Sequence, residues 1–221
     1  MKSVIFDLDG TLADTSADLI AAANACFAAM GQGEPLDAAA DALTAFHGGR
    51  AMLRLGFERL GIDWDEANVD AEYPKLLDHY SYHIAVHTTL YPSVISALEE
   101  LKRRGYLLGI CTNKPEGLAE TLMVELGIRD MFSALLGADT LPVRKPDPEH
   151  LWETIRRVGG DLGRSALIGD TDTDRSTARN AGVPSVLVAF GPSGEAISAL
   201  QPEMLLNHYD ELPDLIDQLI N

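Results

Sequence analysis

Five short apolar runs fall between longer stretches of helical pattern: SVIFDL (3–8), YLLGICT (106–112), ALLGA (134–138), SALIGD (165–170) and SVLVAF (185–190). Each is the length of a strand. Their apolarity is continuous rather than alternating, which is the pattern of strands covered on both faces, and helices between strands are the crossovers that a parallel sheet requires. The expected fold class is α/β.

Between the first run and the second lie residues 9–105, far more than the helix and two turns of a simple right-handed crossover. The region from Ser16 to Tyr82 contains no clear strand and reads as helices. An Ala-rich helix runs to Met30, a second segment starts at Asp37, and RAMLRLGFERL (50–60) and a stretch containing YPKLLDHYSYHI (73–84) follow. Gly31 to Pro35, Gly48-Gly49 and Gly61 to Asp65 break them apart. The expected organisation is a core of residues 1–14 and 85–221 interrupted by a helical domain at 15–84.

With 34 acidic residues against 17 basic ones, the chain has a formal net charge of −17, which repels nucleic-acid phosphates. Nucleic acid is not an expected partner. A small anionic substrate would meet the same repulsion, so its site needs local positive charge. No membrane partner is expected either, since the most apolar stretch, Leu19 to Met30, is interrupted by Asn24 and falls short of the about 20 residues a bilayer requires. Only a brief apolar run follows Lys2 before Asp7, too short for a signal peptide, and Cys26 and Cys111 supply neither a disulfide framework nor a metal spacing. A reduced, cytoplasmic setting is expected, with both cysteines in the core.

Ligands of an open parallel sheet bind beyond the carboxyl ends of its strands, so the residues at the strand exits matter most. After the first run come Asp7 and Asp9 with Gly10 and Thr11; after the second, Thr112, Asn113 and Lys114; before a helix at 148, Arg144 and Lys145; after the fourth, Asp170, Asp172 and Asp174. Carboxylates crowded at one rim are costly unless a cation neutralises them, and an all-oxygen site with few carboxylates suits Mg²⁺. Lys145 supplies positive charge for an anionic substrate. The run GDTDTD begins like a calcium loop, but Arg175 stands where that loop needs Gly and Ala181 where it needs Glu.

The set DLDGT (7–11), CTNKP (111–115), RKPDP (144–148) and GDTDTD (169–174) resembles the four motifs of the haloacid dehalogenase superfamily of phosphohydrolases, over nearly the whole chain. DLDGTLADT and TNKP are most similar to its phosphoglycolate phosphatases. The resemblance implies a Rossmann-like core with an inserted helical cap, and a phosphatase acting on a small phosphorylated metabolite. It implies Asp7 as nucleophile, Asp9 as general acid and base, and Thr112, Asn113 and Lys145 as holders of the phosphoryl oxygens. Mg²⁺ would be bound by Asp7, the Asp9 main-chain carbonyl and Asp170, with Asp174 orienting the set or ligating through water. Thr173 departs from the Asn that family members often carry before the last aspartate, and Asp172 reads as a solvated carboxylate at a helix entrance.

The cap is where specificity is expected. In His47-Gly48-Gly49-Arg50, the glycines would permit close backbone approach, with Gly49 and Arg50 as substrate-binding residues and Arg50 pairing with a substrate carboxylate. His79, His83 and His87, four residues apart, have the spacing of one helix face. The first-choice substrate is 2-phosphoglycolate. A pyrophosphatase, a sugar-phosphate phosphatase and a β-phosphoglucomutase-like enzyme stand as alternatives in the family, and a catalytically silent homologue that binds a phosphorylated ligand as an alternative outside enzymes.

Overall fold

A computed structural model describes residues 1–191 and 193–220. In chain order the elements are β1 (Ser3–Phe6), β2 (Ala13–Asp14), α1 (Ser16–Ala29), α2 (Ala42–Phe46), α3 (Gly49–Leu60), α4 (Glu66–Tyr82), β3 (Thr89–Leu90) and α5 (Val94–Arg103). There follow β4 (Leu107–Cys111), α6 (Glu116–Glu125), β5 (Ala134–Leu136), α7 (Pro148–Val158), β6 (Ser165–Gly169), α8 (Asp172–Ala181), β7 (Ser185–Val188), β8 (Met204–Leu206) and α9 (Leu212–Leu219). They form two compact units, one of residues 1–13 and 90–221 and the other of residues 14–89.

The first unit is built on a six-stranded sheet in the order β5-β4-β1-β6-β7-β8, every pair parallel. The five expected strands all lie in it. β8 is the addition: MLL is three residues long and only partly buried at the sheet edge, too little apolar pattern to stand out. All four residues of β1 are buried, as a strand flanked on both edges and covered on both faces must be. The chain runs outward from β1 through β4 to β5 and then returns to β6 on the other side. β1 therefore sits where the strand order reverses, and the crevice beyond its carboxyl end is the place such sheets bind ligands. Phe6 is level with both Ile110 and Ile168, so three exits open at one height.

Helices pack on this sheet by the faces their patterns give. α5 buries Val94, Ala97, Leu98 and Leu101, the spacing of one apolar stripe. α7 starts with Asp147 as cap and Pro148 in its first turn, and stops at Gly159 in the left-handed conformation. Its Leu151 and Ile155 join Ile5, Cys111, Leu136 and Leu167 in one buried cluster. Among the described residues, no helix is long and apolar enough to cross a membrane.

The second unit is helical. Its second helix covers only Ala42–Phe46, much less than the segment expected from Asp37. Asn24, the polar interruption of α1, is buried and satisfied: its Nδ2 donates to the Leu36 carbonyl and its Oδ1 accepts from the Leu36 N–H. The unit extends to residue 89 rather than to 84. Asp18 near the start of α1 explains this, because its buried carboxylate accepts the N–H groups of His87 and Thr88 and the Thr88 hydroxyl, tying the departing segment to the entering helix. α4 ends at Tyr82, so His83 is its cap and His87 lies beyond it; the three histidines do not share a helix face. Trp64 stacks on Phe57, whereas Trp152 in the first unit is partly exposed, with its indole N–H donating to the Ala181 carbonyl.

Packing in the second unit yields a testable expectation at Gly56. A Cβ there would lie 2.3 Å from the ring of Phe27, which is fully buried and packed edge-on against Phe57. Gly56→Ala gains up to about 1 kcal/mol of helix propensity, but forcing a methyl into a closed core costs about 1–3 kcal/mol. A net loss of stability is expected in urea denaturation, and a gain would show that the α1–α3 contact is slack.

Candidate active site

The strand exits deliver their polar residues to one place. Asp7 follows β1 directly, and its N–H still donates to the Ile168 carbonyl of β6 at 2.9 Å. Thr112 follows β4, with its N–H bonded to the Leu136 carbonyl of β5. Asp170 follows β6, and Asp174 is the third residue of α8, where it completes a reciprocal cap with Thr171. Gly169 makes room for it: a Cβ at that position would lie 2.4 Å from the Asp174 side chain. Asp174 can therefore fold back beneath the strand end.

Lys145 is the hub. Its Nζ lies 2.6 Å from Asp174 Oδ1 and 3.0 Å from Asp7 Oδ1, with its side chain 2% exposed. Burial works to lower its pKa, but the Asp174 and Asp7 carboxylates outweigh that and hold it above the ordinary lysine value. The segment carrying it is tied to the β4 exit, since Asn113 Nδ2 donates to the Lys145 carbonyl at 3.0 Å. Thr112 Oγ1 accepts the N–H of Lys114.

The carboxylates differ in what they have left to offer. Asp174 is saturated: Oδ1 takes the Lys145 ammonium, while Oδ2 accepts from the Asp170 and Thr171 N–H groups and the Thr171 hydroxyl. That favours the orienting role over direct ligation. Asp7 Oδ1 is buried and makes ion-pair contact with Lys145 without a hydrogen bond. Burial pushes the Asp7 pKa up to about 6, with Asp174 and Asp9 adding to the rise and Lys145 opposing it. Asp170 is pushed well above the ordinary carboxylate value by burial, then by Asp174 and Asp7.

Oxygens of Asp7, Asp170 and Asp174 lie within 4.8 Å of one another. Three carboxylates against the single ammonium of Lys145 leave two negative charges when all are ionised, which is the charge of one divalent cation. The donor set is all oxygen and one buried acceptor lacks a hydrogen bond, so these residues fit Mg²⁺.

Residues with no expected role also enter. Thr11 Oγ1 donates to Asp170 Oδ1 at 2.8 Å, and the Thr11 carbonyl accepts from the buried Tyr209 hydroxyl at 2.6 Å. Lys114 Nζ lies 2.8 Å from Asp9 Oδ1. The position of Lys114 beside Thr112 and Asn113 was the available signal; Tyr209, far off in the C-terminal segment, had none. Asp172 and Arg144 are exposed. Gly49 and Arg50 belong to the other unit. A Cβ on Gly49 would press on Tyr73 and Leu76 of α4, so helix packing already accounts for that glycine. Arg50 is ion-paired with Asp70, its guanidinium 4.6 Å from the centre of the Tyr73 ring.

The haloacid dehalogenase-like hydrolase family matches residues 4–188. A phosphoglycolate phosphatase of Mesorhizobium japonicum is 40% identical over 98% of this chain and 96% of its own length. One from Agrobacterium fabrum is 37% identical over 98% and 93%. A crystal structure from Haemophilus somnus, described as a predicted phosphoglycolate phosphatase, has the same fold, with a TM-score of 0.86 over 97% of both chains at 23% identity.

The raised carboxylate pKa values set a pH dependence. A carboxyl whose folded pKa lies above its unfolded value, as Asp7 does at about 6 against 3.8, stabilises the fold when protonated and loses that contribution as pH rises through about 6. A Mg²⁺ ion held by these carboxylates would take the place of the proton, so its stabilising effect should grow over the same range. The Mg²⁺-induced rise in Tm should be at least about 3 °C larger near pH 7.5 than near pH 5. Asp170→Asn should abolish that rise while stabilising the metal-free protein. Differential scanning fluorimetry measures both, and a Mg²⁺ effect independent of pH would remove these carboxylates from the metal site.

Proposed function

The chain belongs to the haloacid dehalogenase-like hydrolase family and is a phosphatase, and from that premise we propose that it hydrolyses a small phosphate monoester through an aspartyl-phosphate on Asp7, with Mg²⁺ bound and 2-phosphoglycolate as substrate. The observation that carries this reading is Lys145, a buried cation shared between Asp7 and an orienting carboxylate at the exit of the central strand. The substrate choice is supported by the names of the full-length relatives. The silent-homologue alternative is set aside, because the relatives are phosphatases and no member of the motif set is missing here.

Asp7 is the nucleophile. Its burial strips water from the attacking oxygen, and Lys145 offsets the repulsion between that carboxylate and an anionic phosphate. An Asp7 oxygen attacks phosphorus, the bond from phosphorus to the leaving oxygen breaks, and Asp9 gives that oxygen a proton. Asp9, now a carboxylate, takes a proton from water as the water attacks the aspartyl-phosphate. Phosphate departs and Asp7 is restored. Lys145, the Thr112 hydroxyl and the Asn113 main-chain N–H serve the phosphoryl oxygens, on which the transition-state charge is spread. For Thr112 and Asn113 the existing bonds suit this. The Thr112 oxygen already accepts from Lys114, which leaves its hydrogen to donate, and the Asn113 side chain is spent on Lys145. Mg²⁺, held by Asp7, the Asp9 carbonyl and Asp170, would supply charge neutralisation at the phosphoryl group.

In this reading Arg50 pairs with the substrate carboxylate. Asp70 already provides it with a carboxylate, so a substrate carboxylate would have to displace that partner.

Asp7→Asn, which keeps the shape but cannot attack phosphorus, should lower kcat by at least about a thousandfold. A panel of 2-phosphoglycolate, pyrophosphate, a hexose phosphate and an aryl phosphate should rank 2-phosphoglycolate first in kcat/KM. Turnover undiminished in Asp7→Asn would reject the nucleophile, and a higher kcat/KM for pyrophosphate or the sugar phosphate would reject the substrate.

A further inference from the structure

Two lysines lie at this rim, and the mechanism above uses one. Lys114 leaves the β4 side of the sheet as Asp9 leaves β1, and because Phe6 and Ile110 are level, the two residues face each other just past the strand ends. The contact is direct: Nζ to Oδ1 is 2.8 Å, with the lysine side chain 4% exposed and the aspartate 17%. A lysine with a flexible four-carbon stem ordinarily keeps its ammonium in water, and withdrawing it is costly unless a counter-charge receives it. Lys145 is already committed to Asp7 and Asp174. The positive charge facing Asp9 is therefore that of Lys114.

The turn that carries Lys114 is held on both sides. Its N–H donates to Thr112 Oγ1 at 3.2 Å, and its carbonyl accepts from the Ala138 N–H at 2.9 Å. Gly137 permits the close approach, since a Cβ there would lie 2.8 Å from the Lys114 carbonyl oxygen and 2.3 Å from the Glu116 nitrogen. Pro115 then restricts the chain into α6. A backbone anchored at this residue delivers the ammonium to one point with little freedom to lose.

We propose that Lys114 is a positioning residue for Asp9: by fixing Oδ1, it turns the carboxylate so that Oδ2 is the atom that exchanges the proton with the leaving group and with water. The inference rests on the reading of Asp9 as general acid and base. A carboxylate free to rotate would spend much of its time with neither oxygen aimed at the reacting centre, and misplacement of about 1 Å can cost on the order of a hundredfold in rate. Lys114 acts through Asp9 and not on the phosphate.

Lys114→Met, which keeps the length and apolar stem of the side chain, is compared with native lysine in both the native and the Asp9→Asn backgrounds, using 2-phosphoglycolate and Mg²⁺. In the native background kcat should fall about tenfold to a hundredfold, with KM within about threefold. The Mg²⁺-induced rise in Tm should remain, since the carboxylate that Lys114 holds at 2.8 Å is that of Asp9, outside the Asp7, Asp170 and Asp174 cluster. In the Asp9→Asn background the same change should cost less than about twofold, because the group it serves is already gone. An undiminished kcat in Lys114→Met, with Asp9→Asn impaired, would overturn this inference alone. Equal losses in the two backgrounds would overturn it as well, assigning Lys114 to the substrate or to the fold. An undiminished kcat in Asp9→Asn by itself would instead remove Asp9 as acid and base, and the role of Lys114 with it.

Discussion

The buried ammonium of Lys145 lies between Asp7 and Asp174, and the rest of the site is arranged around it. Withdrawing such a charge from water costs several kcal/mol, an expense that only its carboxylate partners offset. The pairing fixes three chain segments at once, the exit of β1, the segment before α7 and the first turn of α8. It also leaves the centre short of positive charge, since Asp170 has no ammonium of its own and is buried against the other two carboxylates. Burial raises the carboxylate pKa values and this deficit adds to the rise, and the same deficit is what a divalent cation fits. Burial strips water from the Asp7 carboxylate and holds it beside a fixed cation.

The sheet explains why the pieces meet. Parallel strands in register end at one level, and the reversal of strand order at β1 opens the crevice there. Each exit needs a local device to turn polar groups inward. At β6 it is the missing side chain of Gly169, which lets Asp174 fold beneath the strand. At β1 it is Thr11, whose hydroxyl steadies Asp170 while Tyr209 holds its carbonyl. A C-terminal residue beyond the segment that the family matches thus braces this exit.

Much of this was legible in the residues. Continuous apolar runs disclosed five of the six strands of the main sheet, because burial on both faces leaves no polar alternation to obscure them. The edge strand β8 escaped because three residues, of which only Leu206 is fully buried, make no pattern. Asp7, Asp9, Thr112 and Asp170 stood out by recurring at strand exits and Lys145 by standing just before a helix, placements that need only the order of elements. What each carboxylate has left to donate was not legible, since the saturation of Asp174 depends on Gly169 and Lys145, distant in sequence. Lys114 is the instructive case: its place at the β4 exit could be read, but its partner could not, since only the level of β1 with β4 brings it to Asp9. In the helical unit, spacing misled. Four-residue intervals suggested a histidine face on a helix that stops at Tyr82.

The central claim is that Asp7, backed by Lys145, takes the phosphoryl group. Beryllium trifluoride, which binds an aspartate carboxylate in the geometry of an acyl phosphate, tests it without depending on turnover. Fluorine NMR of the protein with Mg²⁺ and the fluoride complex should show a bound adduct in the native protein and in Asp9→Asn, and none in Asp7→Asn. An adduct that survives in Asp7→Asn would place the accepting carboxylate elsewhere and contradict the account.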